Sequence, residues 1–254
     1  MIYFITDAHL GSRALSHRRM LERRLVRFLD DIKDKAEALY MLGDMFDFWF
    51  EYADVVPKGY TRFLGKISEL TDRGIEVHYF VGNHDMWMDT YLQRECGVIV
   101  HTEPCLIELY GKEFYLAHGH KFDIAPSDWK SRFMFKCFES KLCRRLAKMI
   151  HPHWFINIGL NWARHSREQH LRNGEPHYKG EKEERLVVFA KQYLSTHPDV
   201  NYFLFGHRHI ELDVMLTHDC RLMILGDWFH QFTYARFDGR ELIMGNYIEG
   251  ETRL

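Results

Sequence analysis

The stretch Gly82-Asn83-His84-Asp85 stands directly after the mainly apolar run Val77–Val81. A run of this kind that ends at a glycine is typical of a buried β-strand followed by a turn. After the turn the chain offers a carboxamide oxygen, an imidazole and a carboxylate in three consecutive residues. Core packing does not require such groups, so the stretch predicts a site at the end of a strand.

The same arrangement, a strand-like run followed by groups that bind metals, occurs four more times. The runs and the groups that follow them are Ile2–Ile5 with Asp7 and His9, Ala38–Leu42 with Gly43-Asp44, Phe114–Ala117 with His118-Gly119-His120, and Tyr202–Phe205 with Gly206-His207-Arg208-His209. Ligands collect at the carboxyl ends of the strands in open α/β sheets. If the five runs are neighbours in one sheet, the groups that follow them converge on one spot.

The converging side chains predict a pair of metal ions. Carboxylates, imidazoles and a carboxamide suit Mn²⁺, Fe or Zn²⁺ and do not separate these metals. The five cysteines form no C-x-x-C pair, which excludes a zinc ribbon. Seven donors are too many for one ion that also holds water and substrate, so we expect two divalent ions that share a carboxylate. Paired ions of this kind perform in-line displacement at phosphorus, which predicts phosphoester hydrolysis. The predicted ligands are Asp7, His9, Asp44, Asn83, His118, His207 and His209.

The chain length of 254 residues predicts one α/β domain that carries an insertion. We expect a core formed by residues 1–121 and 179–254, and a helical cap at 122–178. From Lys130 to Arg172 there are ten Lys/Arg against two acids, interleaved with aromatic and aliphatic residues. This mixture suits binding to an anionic membrane surface or to acyl chains. The alternative that these helices form a hairpin whose apolar residues only pack on the core also stays open. The aliphatic residues between the cations and the net charge of -2 argue against a nucleic-acid partner.

Periodicity predicts helices at about 17–35, 57–72, 87–95 and 180–195, with a hairpin that turns at Gly111. We expect two or three closing strands after Tyr202–Phe205. The first strand begins at residue 2, so we expect no signal peptide, and no apolar stretch approaches the roughly 20 residues that span a bilayer. These features predict a cytoplasmic protein and leave open whether it attaches to the inner face of the cytoplasmic membrane.

The five motifs resemble those of calcineurin-like metallophosphoesterases. The resemblance implies a layered α/β/β/α sandwich with an inserted helical cap. It also implies that Asp44 bridges the two metals and that His84, oriented by Asp85, acts on the phosphorus or the leaving oxygen without being a ligand. The implied ligands of the first metal are Asp7, His9, Asp44 and His209, and those of the second are Asp44, Asn83, His118 and His207.

Two further stretches, Gly43–Trp49 and Leu225–Trp228, are similar to motifs of the UDP-2,3-diacylglucosamine hydrolases of lipid A synthesis. That resemblance implies a nucleotide-activated glycolipid substrate, cleaved to UMP and 2,3-diacylglucosamine 1-phosphate, with manganese as the first choice of metal. It also implies substrate contacts from Asp128, Arg164, Ser166 and Arg167. The best-known members of that family have arginine at the position of His84 and aspartate at that of His120.

Two other functions stay open at this point. The chain could be a metallophosphodiesterase or phosphatase that acts on another nucleotide or phosphoester. It could also be a binding module that keeps the fold without catalysis, although all seven predicted ligands and His84 are present. The sequence does not decide the oligomeric state.

Overall fold

The structure, a computed structural model, describes residues 1–125, 127–172, 174 and 176–248. The last stretch of the predicted core, residues 249–254, lies outside the described residues. The strands are β1 Ile2–Ile5, β2 Ala38–Met41, β3 Glu76–Phe80, β4 Ile99–His101, β5 Cys105–Leu109, β6 Lys112–Leu116, β7 Val200–Phe205, β8 Leu212–Met215, β9 Arg221–Ile224, β10 Thr233–Phe237 and β11 Leu242–Asn246. The helices are α1 Arg18–Ile32, α2 Thr61–Asp72, α3 Tyr91–Cys96, α4 Trp129–Glu139, α5 Lys141–Ala147, α6 Pro152–Arg172 and α7 Arg185–Leu194.

The strands form two sheets. The first has the order β11-β10-β1-β2-β3-β4, and the second has the order β5-β6-β7-β9-β8. In the first sheet β1 to β4 run parallel, and β10 and β11 are antiparallel additions. In the second sheet β7 is parallel to both β6 and β9, while β5 and β8 pair antiparallel at the edges.

Alternation along the strands builds a four-layer sandwich. In β1, Tyr3 and Ile5 pack in the same cluster as Leu25 and Phe28 of helix α1. Successive strand side chains point to opposite faces, so the remaining β1 residues face the second sheet. Their cluster contains Ile2, Phe4, Ala38, Tyr40, Leu42, Phe80, Phe114, Leu116, Leu204 and Phe237. A third cluster packs helix α7 against the outer face of the second sheet. The predicted α/β/β/α fold class is confirmed.

The placement of the five runs differs from the one-sheet arrangement. Runs β1, β2 and β3 lie in the first sheet, and β6 and β7 lie in the second. The parallel directions within each sheet nevertheless bring the five carboxyl ends to the same edge of the sandwich. The expectation of two or three closing strands was too low, because four strands, β8 to β11, follow β7.

Helices α4, α5 and α6 lie inside the predicted cap. Helix α6 contacts the core through the side chains of Arg13, Asn157 and Asn161. The guanidinium of Arg13 donates to Asn161 Oδ1 at 2.8 Å and to Asn157 Oδ1 at 2.5 Å. Phe155 of the same helix packs on Phe50, with ring centroids 4.6 Å apart. Among the described residues, no helix combines the length and apolarity that crossing a bilayer requires.

Candidate metal centre

The residues that follow the strand ends have an unusual backbone conformation. Five of the seven predicted ligands have positive φ, a region that costs a residue other than glycine about 1–3 kcal/mol. Surrounding structure must supply that energy, and such strain is concentrated at functional sites. The five residues and their φ angles are Asp7 (53°), His9 (43°), Asp44 (53°), His207 (68°) and His209 (50°).

Asp7 lies at the centre of the first group of donors. Its Oδ2 accepts hydrogen bonds from the backbone N–H of His207 and from Thr6 Oγ1, both at 2.8 Å. Its Oδ1 lies 3.4 Å from His9 Nε2 and 3.6 Å from His209 Nε2. The three donor atoms lie close enough together to bind one cation.

Asp44 organises the second group. Its Oδ1 accepts a hydrogen bond from the backbone N–H of His84 at 2.8 Å, and its Oδ2 lies 3.3 Å from His118 Nε2 and 3.7 Å from His9 Nε2. The Oδ1 of Asn83 lies 3.2 Å from the same His118 nitrogen. Asp44 therefore lies between the ligands predicted for the two metals, as expected of a bridge.

His207 completes the set on the side of the second sheet. Its ring lies 5.2 Å from that of His118, centroid to centroid. All seven predicted ligands and His84 therefore lie together at one edge of the sandwich, and we call these eight residues the strand-end cluster. Their role as metal ligands stays a prediction.

Unpaired polar atoms show that the cluster suits a cation. In the part of the chain that the structure describes, Asp7 Oδ1 and both ring nitrogens of His9 are buried without a hydrogen-bond partner. Each such atom costs about 1–3 kcal/mol. A bound cation would supply the missing partner of each of these atoms.

The protonation states also favour cation binding. Burial by itself would raise the pKa of the Asp44 carboxyl, but His118 and His84 outweigh burial and hold this pKa well below its usual range. Burial lowers the pKa of His118, while the Asp44 and Asp7 carboxylates raise it to about 9. The protein without metal therefore holds a proton on His118 beside two carboxylates, and a divalent cation would take the place of that proton.

Three carboxylates that the sequence interpretation left without a role lie behind the predicted histidine ligands. Asp47 Oδ1 is 3.4 Å from His9 Nδ1, Asp227 Oδ2 is 3.7 Å from His209 Nδ1, and Asp123 Oδ2 is 3.5 Å from His207 Nε2. Carboxylates in this position orient metal-binding imidazoles and raise their basicity. Asp47 and Asp227 lie within the two stretches similar to diacylglucosamine hydrolases, whereas no pattern in the sequence singles out Asp123.

The expectation that Asp85 orients His84 was wrong. The Nδ1 of His84 lies 2.9 Å from the carbonyl oxygen of Asp47, which therefore fixes the ring. The Asp85 carboxylate instead accepts hydrogen bonds from Tyr79 Oη at 2.5 Å and from the backbone N–H of Gly82 at 2.7 Å. Burial and the neighbouring Asp44 raise the pKa of Asp85 to about 6. Asp85 thus holds the turn that carries Asn83 and His84.

The four predicted substrate residues differ in their exposure and in their partners. Arg167 is buried, with Nη2 3.6 Å from Asp47 Oδ1. Ser166, its neighbour on helix α6, is half-buried. Arg164 is exposed and pairs with Glu168 at 2.7 Å. Asp128 is exposed and caps helix α4 by accepting from the backbone N–H of Ser131 at 3.1 Å. Their roles in substrate binding stay predictions.

His120 is buried beside the strand-end cluster. Its ring centroid lies 5.4 Å from that of His118 and 5.8 Å from that of Phe135 in the cap. Burial, His118 and His207 lower its pKa well below the usual range, so it is a neutral imidazole. His120 is therefore part of the wall between the cluster and the cap and not a surface loop residue.

Two facing sheets with a cluster of carboxylates and imidazoles at their common edge are the fold and site of a metal-dependent phosphoesterase. A sequence model of the calcineurin-like phosphoesterases matches residues 1–211. The chain belongs to this family and is a metal-dependent hydrolase.

Relatives with a more specific name match nearly the whole chain. The UDP-2,3-diacylglucosamine hydrolase of Porphyromonas gingivalis is 42% identical over 256 residues, which cover 96% of each chain. The UDP-2,3-diacylglucosamine hydrolase of Aeromonas hydrophila is 26% identical and is matched over 90% of each chain.

The solved structures that match the chain are more distant in sequence. Vps29 of Entamoeba histolytica, in complex with zinc, is 14% identical with a TM-score of 0.43, over 96% of this chain and 89% of that chain. The phosphoesterase YfcE of E. coli is 13% identical with a TM-score of 0.41, over 92% of this chain and 86% of that chain. Similarity at this level has no bearing on the substrate.

Proposed function

We propose that this chain hydrolyses the diphosphate of UDP-2,3-diacylglucosamine to UMP and 2,3-diacylglucosamine 1-phosphate. The observation that carries the proposal is the 42% identity, over 96% of both chains, to a relative named for this substrate. The strand-end cluster supports it, because a diphosphate is the kind of anion that two divalent cations beside two aspartates would bind.

In the proposed reaction the oxygen of a water molecule joins the α-phosphorus of the substrate. The bond from that phosphorus to the bridging oxygen breaks, and the bridging oxygen leaves with the lipid phosphate. When bound, two divalent cations lower the pKa of the attacking water and offset the charge of the diphosphate. Manganese is the metal that we propose, with iron and zinc as alternatives, held by the seven predicted ligands.

His84 would act on the phosphoryl group. A carbonyl oxygen only accepts hydrogen bonds, so the contact with Asp47 places a proton on Nδ1 of His84. This contact leaves the other ring nitrogen of His84 available to the phosphoryl group, and the Trp162 ring of the cap lies 6.1 Å from the His84 ring between centroids. In its protonated form His84 would stabilise the negative oxygens of the transition state or protonate the leaving oxygen.

The cap supplies an apolar surface for the lipid half of the substrate. Aromatic rings of the core and cap meet beside His84, where Trp87 lies 5.2 Å from Phe138 and 5.8 Å from Phe155 between ring centroids. Trp87 also donates to the carbonyl oxygen of Phe138 at 2.8 Å. Acyl chains attached to the glucosamine would be desolvated against such rings.

The substrate proposal is tested with purified protein, Mn²⁺ and UDP-2,3-diacylglucosamine in detergent, with phosphorus NMR as the readout. We expect UMP and a lipid phosphate monoester, and much slower hydrolysis of UDP-N-acetylglucosamine, which has no long acyl chains. Hydrolysis of simple phosphodiesters or cyclic nucleotides alone would assign the chain to another substrate class. Activity with Mn²⁺, Fe²⁺ and Zn²⁺, compared at equal metal content, tests the choice of metal.

We further propose that the cap attaches to the inner face of the cytoplasmic membrane. Seven large apolar side chains of the described cap are each more than half exposed: Trp129, Phe133, Leu142, Leu146, Met149, Trp154 and Ile158. The basic residues Lys130, Lys141 and Arg145 lie on helices α4 and α5, and Lys148 directly follows α5. Exposed apolar groups beside cations are typical of a helix at the surface of an anionic membrane.

Vesicle sedimentation tests this attachment. Replacing Trp129, Met149 and Trp154 with serine should abolish binding to vesicles that contain anionic lipid. A matched control replaces Met20, Met215 and Ile248, which are also exposed but lie outside the cap. Equal vesicle binding by both triple variants would disprove the attachment.

A further inference from the structure

Asp47 contacts four residues that belong to different parts of the site. Its carbonyl oxygen lies 2.9 Å from His84 Nδ1. Its Oδ1 lies 3.4 Å from His9 Nδ1 and 3.6 Å from Arg167 Nη2. Its backbone N–H donates to the carbonyl of Leu10, the residue after His9, at 3.0 Å. The residue is fully buried, so water does not compete for these contacts.

Arg167 is the residue of the cap that contacts Asp47. Although it lies on helix α6, only 8% of it is exposed. Its guanidinium lies 4.6 Å above the ring of Phe229. That ring lies 5.9 Å from the ring of His9 and 5.4 Å from the ring of His209, centroid to centroid. Arg167 is therefore packed between Asp47 and an aromatic ring that also contacts two predicted ligands.

The contacts of Asp47 leave its charge incompletely satisfied. Among the described residues, neither carboxylate oxygen has a hydrogen-bond partner within normal distance. A buried ion pair of this kind adds little net stability, because desolvation offsets the attraction. Stability therefore does not explain why the carboxylate lies between a predicted ligand and a cap arginine.

We propose that Asp47 is a positioning residue that holds His9 and Arg167 in one arrangement, so that the cap and the metal centre are oriented together. With Nδ1 of His9 facing Asp47, Nε2 faces Asp7 and Asp44 at 3.4 Å and 3.7 Å. Removal of the Asp47 charge frees the His9 ring to rotate and frees Arg167 to leave the site. The inference rests on the metal centre and not on the identity of the lipid substrate.

The test compares Asp47→Asn with Glu51→Gln. Glu51 is a buried carboxylate of the same loop, but its partners are Trp49 Nε1 and the backbone N–H groups of Thr90 and Tyr91 at 2.9–3.0 Å. We expect Asp47→Asn to lower Mn²⁺ affinity, measured by calorimetry, by about tenfold or more, as is typical when the partner of a metal-binding histidine is lost. Glu51→Gln should lower the melting temperature and leave Mn²⁺ affinity unchanged.

A double-mutant cycle tests the coupling between the cap and the metal centre. The measured quantity is kcat/KM for a simple phosphodiester, which does not depend on the lipid substrate. If Asp47 and Arg167 act together, the double variant Asp47→Asn/Arg167→Gln should have a kcat/KM no lower than that of the more impaired single variant. Effects that multiply, or an Asp47→Asn variant with the Mn²⁺ affinity of Glu51→Gln, would overturn the proposal.

If Asp47→Asn does not fold, Arg167→Gln carries the test. The absorption spectrum of the Co²⁺-loaded protein reports the arrangement of the metal ligands. Arg167→Gln should change that spectrum through Asp47 and His9, whereas Arg164→Gln, on the exposed side of the same helix, should not. An unchanged spectrum in Arg167→Gln would likewise overturn the proposal.

Discussion

A Cβ atom on Gly82 would lie 2.1 Å from Oδ1 of Asp44 and 2.6 Å from the backbone nitrogen of Asp44. The turn after β3 therefore passes directly against the carboxylate that lies between the two groups of donors. This contact explains why a glycine precedes Asn83 and His84, since any side chain at position 82 would displace Asp44.

We expect Gly82→Ala to abolish most of the metal binding. The added methyl group must push Asp44 away from His118 and His9, and backbone atoms cannot yield as a flexible side chain could. Metal analysis of purified protein should show less than half of the Mn²⁺ bound by the unchanged protein. The matched control is Gly65→Ala in helix α2, where a Cβ atom meets nothing within 4 Å. That variant should gain about 0.5–1 kcal/mol of stability and keep its metal, and similar metal content in both variants would contradict the prediction.

The position of helix α6 depends on Arg13. This residue follows the loop that carries Asp7 and His9, and it donates to Asn157 and Asn161 of helix α6 at 2.5 Å and 2.8 Å. Arg13→Ala removes both bonds, so we expect faster amide hydrogen exchange across residues 152–172 and little change in the core strands. The matched control is Arg19→Ala on the exposed side of helix α1. Equal exchange in the two variants would show that aromatic packing alone holds the cap.

The sequence was sufficient to predict the strand-end cluster because strand ends impose their own pattern. A run that alternates between two buried faces must be apolar throughout, as Ile2–Ile5 is, so the first polar residues after it mark the end of the strand. Glycines at these ends reflect close contacts, such as that of Gly206, where a Cβ atom would lie 2.1 Å from Thr6 Oγ1. The apolar run and the glycine at its end are both local patterns, so they can be recognised in a single sequence.

The contacts behind the cluster could not be predicted, because they join residues that no local pattern relates. Asp123 approaches His207 across 84 positions of the chain only because β6 and β7 are neighbours in the second sheet. The wrong assignment of Asp85 as the partner of His84 has the same origin. Adjacent residues at a turn point in different directions, and the carbonyl of Asp47 reaches the His84 ring from another loop.

Without metal, we expect the protein to lose stability as the pH rises from about 6.5 to 9. The pKa of His118 is raised from 6.5 to about 9 in the folded protein, chiefly by Asp44 against the effect of burial. A raised pKa stabilises the fold fully below the unfolded value of 6.5, and this contribution disappears as the pH passes the folded value. Melting temperatures of protein treated with a chelator should therefore be lower at pH 9.5 than at pH 6.5.

The variant His118→Gln serves as the control for this pH dependence, since it lacks the titrating imidazole. Its melting temperature should change less over the same interval. Protein loaded with Mn²⁺ should behave differently, because bound metal requires the neutral imidazole and its affinity rises with pH. An equal decrease in His118→Gln and in the unchanged chain would assign the pH dependence to other groups.

His84 lies close enough to His9 and Asp44 to be a metal ligand, yet we expect it to act on the phosphoryl group instead. Its Nδ1 is held by the Asp47 carbonyl at 2.9 Å, and its half-buried ring lies edge-on to the His9 ring at 4.8 Å, on the side that faces Trp162 of the cap. We therefore predict that His84→Ala lowers kcat by about 10²–10³ and leaves the affinity for Mn²⁺ within about threefold. Calorimetry and steady-state kinetics on the same preparation separate the two roles. A loss of Mn²⁺ affinity as large as that caused by Asp44→Asn would make His84 an eighth ligand, because a group that acts only on the phosphoryl oxygens does not contribute to metal binding in the absence of substrate.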